Sequence, residues 1–142
     1  MTSISPDESQ IRELVSRIDD GPVVMVNLLK FRKRATGTTE SGAEAYARYA
    51  KAVSGLIEDL GGRTVWRGKA DQILIGDPEA DWDMAVLVEY PTRRAFLEMV
   101  NLPEYQQIHE DRESGLERTS LIACTPLGDE FDWTELSGSV SR

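Results

Sequence analysis

Two apolar rhythms alternate along this chain. In SPDESQIRELVSRI, residues Ile11, Leu14, Val15 and Ile18 recur at helical spacing and predict an opening helix. Ser5, Pro6 and Glu8 supply the cap, first-turn proline and capping box for its start, and Gly21 after Asp19 and Asp20 supplies its stop. VVMVNLLKFR then runs almost without a polar break and predicts a strand over 22–31. The polar, basic loop RKRATGTTESG follows, long for a connection in a compact domain. In AEAYARYAKAVSGLIEDLGG, Tyr46, Tyr49, Ala50, Val53, Leu56, Ile57 and Leu60 share one helical face, and Gly61-Gly62 ends it. RTVWRG and QILIGD predict a pair of short strands, and WDMAVLVEY predicts another. Pro91-Thr92 opens the helix RRAFLEMV, Pro103 opens a second, EYQQIHEDRESGL, and ERTSLIACTP predicts the last strand.

Helices interleaved with hairpin-joined strands predict an α+β fold: a ferredoxin-like antiparallel sheet with helices on one face and an extra N-terminal helix. One domain is expected over 1–142: an N-terminal helix at 1–20, the ferredoxin-like core at 21–126 and an acidic C-terminal tail at 127–142. The first strand is apolar on both faces. Val24, Val26 and Leu28 point one way, while Val23, Met25, Asn27, Leu29 and Phe31 point the other. Helices cover only one face, so a homodimer is expected to cover the second. Parity places Asn27 with Met25 and Leu29, on the face assigned to the partner.

Charge narrows the partners. The chain has a formal net charge of -9, which disfavours nucleic acid and anionic membrane surfaces. The start MTSISPDESQ has neither a basic nor an apolar leader pattern, and cytoplasmic residence is the expectation. A single cysteine, Cys124, sits in an apolar run and reads as a small core residue. No metal-ligand spacing, phosphate loop or nucleophile elbow is present, so no metal and no cofactor are expected.

The candidate chemistry is polar residues in apolar settings. Asn27 needs hydrogen-bond partners, either a neighbouring loop or water, or a ligand at a cleft wall. In the helix opened by Pro103, Tyr105, Ile108, His109, Arg112 and Leu116 share one stripe. Arg112 therefore points inward, either in an internal ion pair with a carboxylate such as Asp83 or Glu89 or holding an anion. His109 is either a core hydrogen-bonding residue or a general base. Tyr46 and Tyr49 enter where the polar loop meets the long helix, and Trp66 is either core or a ligand platform. Lys30, with Arg32, Lys33 and Arg34, forms a basic cluster that reads as a solvated strand end or as a steering patch for a carboxylate.

Several segments together resemble the domain-of-unknown-function family 1330: VVMVNLLKFR, YARYAKAV, GGRTVWRG, DWDMAVLVEYPTRRAFLEMV and PEYQQIHEDRESGLERTSLI, over about residues 22–126. The resemblance implies a ferredoxin-like domain whose sheets pair into a dimeric α/β barrel. It carries over no catalytic residue, because the family has no settled activity. It marks Asn27, Lys30, Trp66, Tyr90, Tyr105 and Arg112 as motif positions. The expectation is a homodimer that binds or transforms a small aromatic or carboxylated metabolite without a redox cofactor. His109 and Arg112 are its catalytic candidates, and Asn27, Lys30, Tyr46, Trp66, Tyr90 and Arg112 its ligand-binding candidates. As an enzyme it would be monooxygenase-like or isomerase-like, with Asn27 and Arg112 holding an oxyanion. The alternative is a non-catalytic dimer that docks a partner through Phe131, Trp133 and Leu136 of the tail.

Overall fold

The computed structural model describes residues 5–17 and 21–136. The elements in chain order are α1 (Glu8–Ser16), β1 (Val23–Phe31), α2 (Gly42–Asp59), β2 (Arg63–Lys69), β3 (Met84–Tyr90), α3 (Arg93–Val100), α4 (Pro103–Gly115) and β4 (Leu116–Cys124). Short 3-10 turns lie at Pro78–Ala80 and Trp133–Glu135. The sheet order is β2-β3-β1-β4, with every neighbour antiparallel. This is the ferredoxin-like arrangement, with its second helix divided in two at Asn101-Leu102.

Burial decides which face is which. Val23, Met25 and Leu29 are buried and share a face with Val88 and Tyr90. Val23, Met25, Val88 and Tyr90 make up the main core with Tyr49, Val53, Ile57, Met99 and Tyr105 from the helices. The opposite face is open. Register aligns Trp66, Leu87, Val26 and Ile122 in one row across all four strands. Trp66 is 55% exposed and Ile122 50%, so this apolar row has no full cover among the described residues.

Two details of this frame matter for the site. At the end of α2, Gly61 adopts φ 83, the left-handed geometry that closes a helix. Where α2 starts and α4 ends, Gly42 and Gly115 bring two backbones into contact. A Cβ on Gly115 would lie 2.6 Å from the Gly42 carbonyl oxygen. Only glycine permits that approach.

The structure corrects three expectations. QILIGD is not a strand: β2 pairs with β3 from Arg63↔Glu89 to Lys69↔Met84, and residues 72–77 lie in the connection between them. Leu74 and Ile75 are 83% and 94% exposed there. A three-residue apolar run has too little periodicity to separate strand from loop. The opening helix is capped by Asp7 with Gln10, two residues beyond the expected Ser5 and Glu8. The Asp7 carboxylate accepts the Gln10 N–H, and this bond lowers its pKa. Ser5 is freed for a bond elsewhere. Expected helix residue Ile18 and the Asp19-Asp20 end lie outside the described residues. The third correction concerns Asn27: its face is the helix-covered one, so it points away from the open row.

Candidate functional site

Between the sheet and the helices lies a cavity of about 550 Å³. The sheet contributes Met25, Asn27, Val86 and Tyr90 to its wall, and α2 contributes Tyr46 and Tyr49. Tyr105, His109 and Arg112 come from α4. Helical spacing explains the last set. Positions 105, 109 and 112 differ by four and three, so one stripe of α4 presents a phenol, an imidazole and a guanidinium side by side. A larger lobe of about 700 Å³ adjoins it toward β4, sharing Met25, Phe96, Arg112 and Leu121. Ser5, Pro6 and Ile11, at and before α1, line both parts, so the N-terminal segment roofs them.

Aromatic rings run through the wall in series. Ring centroids lie 5.4 Å apart for Phe31 and Tyr46, 5.2 Å for Tyr46 and Tyr49, and 6.0 Å for Tyr49 and Tyr105. His109 ends the series 5.6 Å from Tyr105. The Tyr49 and Tyr105 hydroxyls are 3.1 Å apart. One O–H donates to the other oxygen, which leaves the second O–H proton for a further acceptor. Burial raises the Tyr46 pKa to about 12 and pushes Tyr49 and Tyr90 well up. The positive charge of Arg112 opposes the rise at Tyr46 and Tyr49. All three phenols are therefore neutral donors at physiological pH.

His109 and Asn27 are oriented by neighbours. His109 Nε2 lies 3.4 Å from a Glu113 carboxylate oxygen. A carboxylate only accepts, which favours the tautomer with hydrogen on Nε2. Nδ1 is then the lone-pair nitrogen, and it is buried with no hydrogen-bond partner among the described residues. The same Glu113 oxygen accepts the Ser5 hydroxyl at 2.9 Å, tying the roof to the histidine. Asn27 donates through Nδ2 to the Met25 and Val86 carbonyls, each at 3.2 Å. Two carbonyl neighbours fix the amide orientation, so Asn27 presents its carbonyl oxygen to the cavity. An acceptor cannot hold an oxyanion, which corrects the role expected for Asn27.

The candidates thus separate into two groups. Asn27, Tyr46, Tyr90, His109 and Arg112 line one cavity. Lys30 and Trp66 lie elsewhere, because strand parity sets both on the open face. Lys30 bonds to Asp81 at 3.1 Å and approaches Asp83 at 3.6 Å, and the Asp81 carboxylate raises its pKa. Trp66 lies over Gly68, where a Cβ would strike its ring. Asp83 and Glu89, the carboxylates expected for Arg112, are engaged by Lys30 and by Arg63. In the tail, Phe131 and Trp133 stack edge to face at 5.8 Å, and Trp133 is 77% exposed. Sequence reasoning missed Arg67 and Arg93, which line the two lobes, and Ser5 and Glu113 behind His109. Arg93 carried a signal: it stands three residues before Phe96 and seven before Val100, on the apolar stripe of its helix.

Among the described residues, no group of three or more His, Cys, Asp or Glu gathers at metal-binding distance. Nor is any described helix long and apolar enough to cross a membrane.

The family model described as a domain of unknown function, DUF1330, matches residues 38–125. No curated protein matches the chain. Among solved structures, RPA0582, a protein of unknown function from Rhodopseudomonas palustris, is 35% identical with a TM-score of 0.86. That match covers 90% of this chain and 99% of RPA0582. A hydroxynitrile lyase from Passiflora edulis is 9% identical with a TM-score of 0.56, covering 80% of this chain and all (100%) of the lyase. At3g17210 from Arabidopsis thaliana is 13% identical with a TM-score of 0.53, covering 77% and 99%. The two plant proteins share the fold alone. The chain belongs to the DUF1330 family.

Proposed function

We propose that this DUF1330 protein binds a small aromatic carboxylate between its sheet and its helices. The observation that carries this reading is the Arg112 guanidinium, 7% exposed, on the same wall as the tyrosine series and His109. Arg112 holds the carboxylate, because a guanidinium is always charged and pairs with it through two parallel N–H donors. The aromatic body packs against Tyr46, Tyr90 and Met99. Asn27 accepts a hydrogen bond from a ligand hydroxyl or amide.

The same groups suit a proton transfer. His109 Nδ1 takes a proton from an activated C–H of the ligand. The electron pair moves onto the adjacent carbonyl oxygen, and the spare O–H of the Tyr49–Tyr105 pair and Arg112 stabilise that oxyanion. Returning the proton to another carbon completes an isomerisation. The cavity works within a homodimer, where a second copy covers the row from Trp66 to Ile122.

Thermal-shift measurements with benzoate, 4-hydroxybenzoate and benzamide test the binding step. The two acids are expected to stabilise the protein and benzamide is not, and Arg112→Gln removes the effect. Equal shifts from benzamide and benzoate, or shifts that survive Arg112→Gln, would overturn the reading.

A further inference from the structure

The larger lobe holds a second buried cation. Arg93, the first residue of α3, is 7% exposed. Its guanidinium makes one hydrogen bond, a long one of 3.4 Å to the Thr125 hydroxyl. No carboxylate pairs with it among the described residues. A guanidinium keeps its charge under all conditions a folded protein meets, so burying it without a counter-charge is costly. The first turn of α3 adds to the cost. It contains Arg93 and Arg94 and no acidic residue, while the unpaired N–H groups of the helix start also present positive charge.

The surroundings are suited to an anion. Arg93 and Arg112 line the same lobe with Thr119, Ser120 and Thr125. Glu13 is the one carboxylate among the described residues of that lining, and it is held by Arg17 at 3.1 Å. In a chain of net charge -9, two buried guanidiniums facing one space are a local reversal of the overall field.

We propose that the ligand carries two anionic groups, one held by Arg112 and a second, a carboxylate or a phosphate, held by Arg93 with the Thr125 hydroxyl. This rests on the reading of the cavity as a ligand site and extends it into the adjoining lobe. The ligand is then an elongated aromatic diacid or a phosphorylated aromatic acid, with its body along Met25, Phe96 and Leu121.

Calorimetric titration of the full chain with benzoate, terephthalate and 4-carboxyphenyl phosphate tests it. At least one doubly anionic compound is expected to bind roughly tenfold more tightly than benzoate, as a charge-assisted bidentate contact provides. The compound that gains shows whether the second group is carboxylate or phosphate. Arg93→Gln should abolish the gain and leave benzoate affinity within about twofold, and Arg93→Lys should restore part of the gain. Thermal melts of both variants establish that they fold. If all three compounds bind equally, or if Arg93→Gln weakens benzoate as much as the dianions, the second anionic site is refuted while the single-anion reading stands. If none binds, both are refuted. A dimer structure in which a partner carboxylate pairs with Arg93 would also overturn the proposal.

Discussion

Gly115 and Gly55 offer the same substitution with opposite predicted signs. At Gly115→Ala the new Cβ would lie 2.6 Å from the Gly42 carbonyl oxygen and 3.1 Å from the Tyr46 backbone nitrogen. Both are main-chain atoms in regular helix and cannot swing aside, so α2 and α4 must separate by roughly half an ångström. Overpacking of this kind costs about 1–3 kcal/mol, which for a domain of this size lowers Tm by roughly 3–10 °C. Gly55 is exposed in the middle of α2, and a Cβ there meets nothing within 4 Å. Gly55→Ala removes only the entropic penalty of a helical glycine and should stabilise by about 0.5–1 kcal/mol. Differential scanning calorimetry of the two variants beside the parent gives the comparison. Because Tyr46 sits directly under the contact, Gly115→Ala should also weaken ligand binding, and Gly55→Ala should leave it unchanged. Tm values that rise together, or a Gly115→Ala variant indistinguishable from the parent, would refute the close approach that sets α2 and α4 together as the helical wall of the cavity.

Alkaline pH should unfold the protein early. Burial holds the Tyr46 hydroxyl at about 12, against 10.0 for a free phenol. The neutral form is the one the fold prefers, so this stabilisation is complete below pH 10 and is lost as pH rises toward 12. Tyr46 alone contributes at most about 2.7 kcal/mol, and Tyr49 and Tyr90 act in the same direction. Absorbance at 295 nm should rise together with loss of the helical circular dichroism, and tyrosine ionisation well before unfolding would contradict the burial. At the strand end, Asp83 accepts the Phe31 N–H at 2.8 Å and lies near Lys30. Asp83→Ala should cost about 1 kcal/mol in urea unfolding, and a change below about 0.3 kcal/mol would show the clasp to be idle. Sedimentation should give twice the chain mass of 15.9 kDa. Trp66→Lys on the open row should shift the protein toward monomer, and a parent that sediments as monomer would refute the dimer.

The sequence carried the architecture because its apolar periods are long. Eighteen residues of α2 and nine of β1 each display a period over several repeats. QILIGD failed because its three apolar residues, Ile73, Leu74 and Ile75, are too few to display one. Strand parity correctly grouped Asn27 with Met25 and Leu29. Parity alone does not say which of two apolar faces meets the helices, and the assignment to the partner side was reversed. The stripe of α4 placed Tyr105, His109 and Arg112 together from spacing alone. What spacing lacks is the tertiary bonding that gives each group its role. The Met25 and Val86 carbonyls turn Asn27 into an acceptor, and Glu113 leaves Nδ1 of His109 bare. Lys30 and Trp66 stood out as motif positions, yet their strand positions set them on the face opposite the cavity.

If the cavity is a ligand site, His109 Nδ1 is its proton acceptor, and the imidazole reports it directly. The chain has one histidine, so a long-range nitrogen-proton correlation spectrum contains a single imidazole and reads it without assignment. The Nε2–H tautomer is expected in the free protein, with a large shift at Nδ1 and little at Nε2 when 4-hydroxybenzoate saturates the protein. An Nδ1–H tautomer, or an imidazole whose nitrogens do not move at saturating ligand, would contradict it.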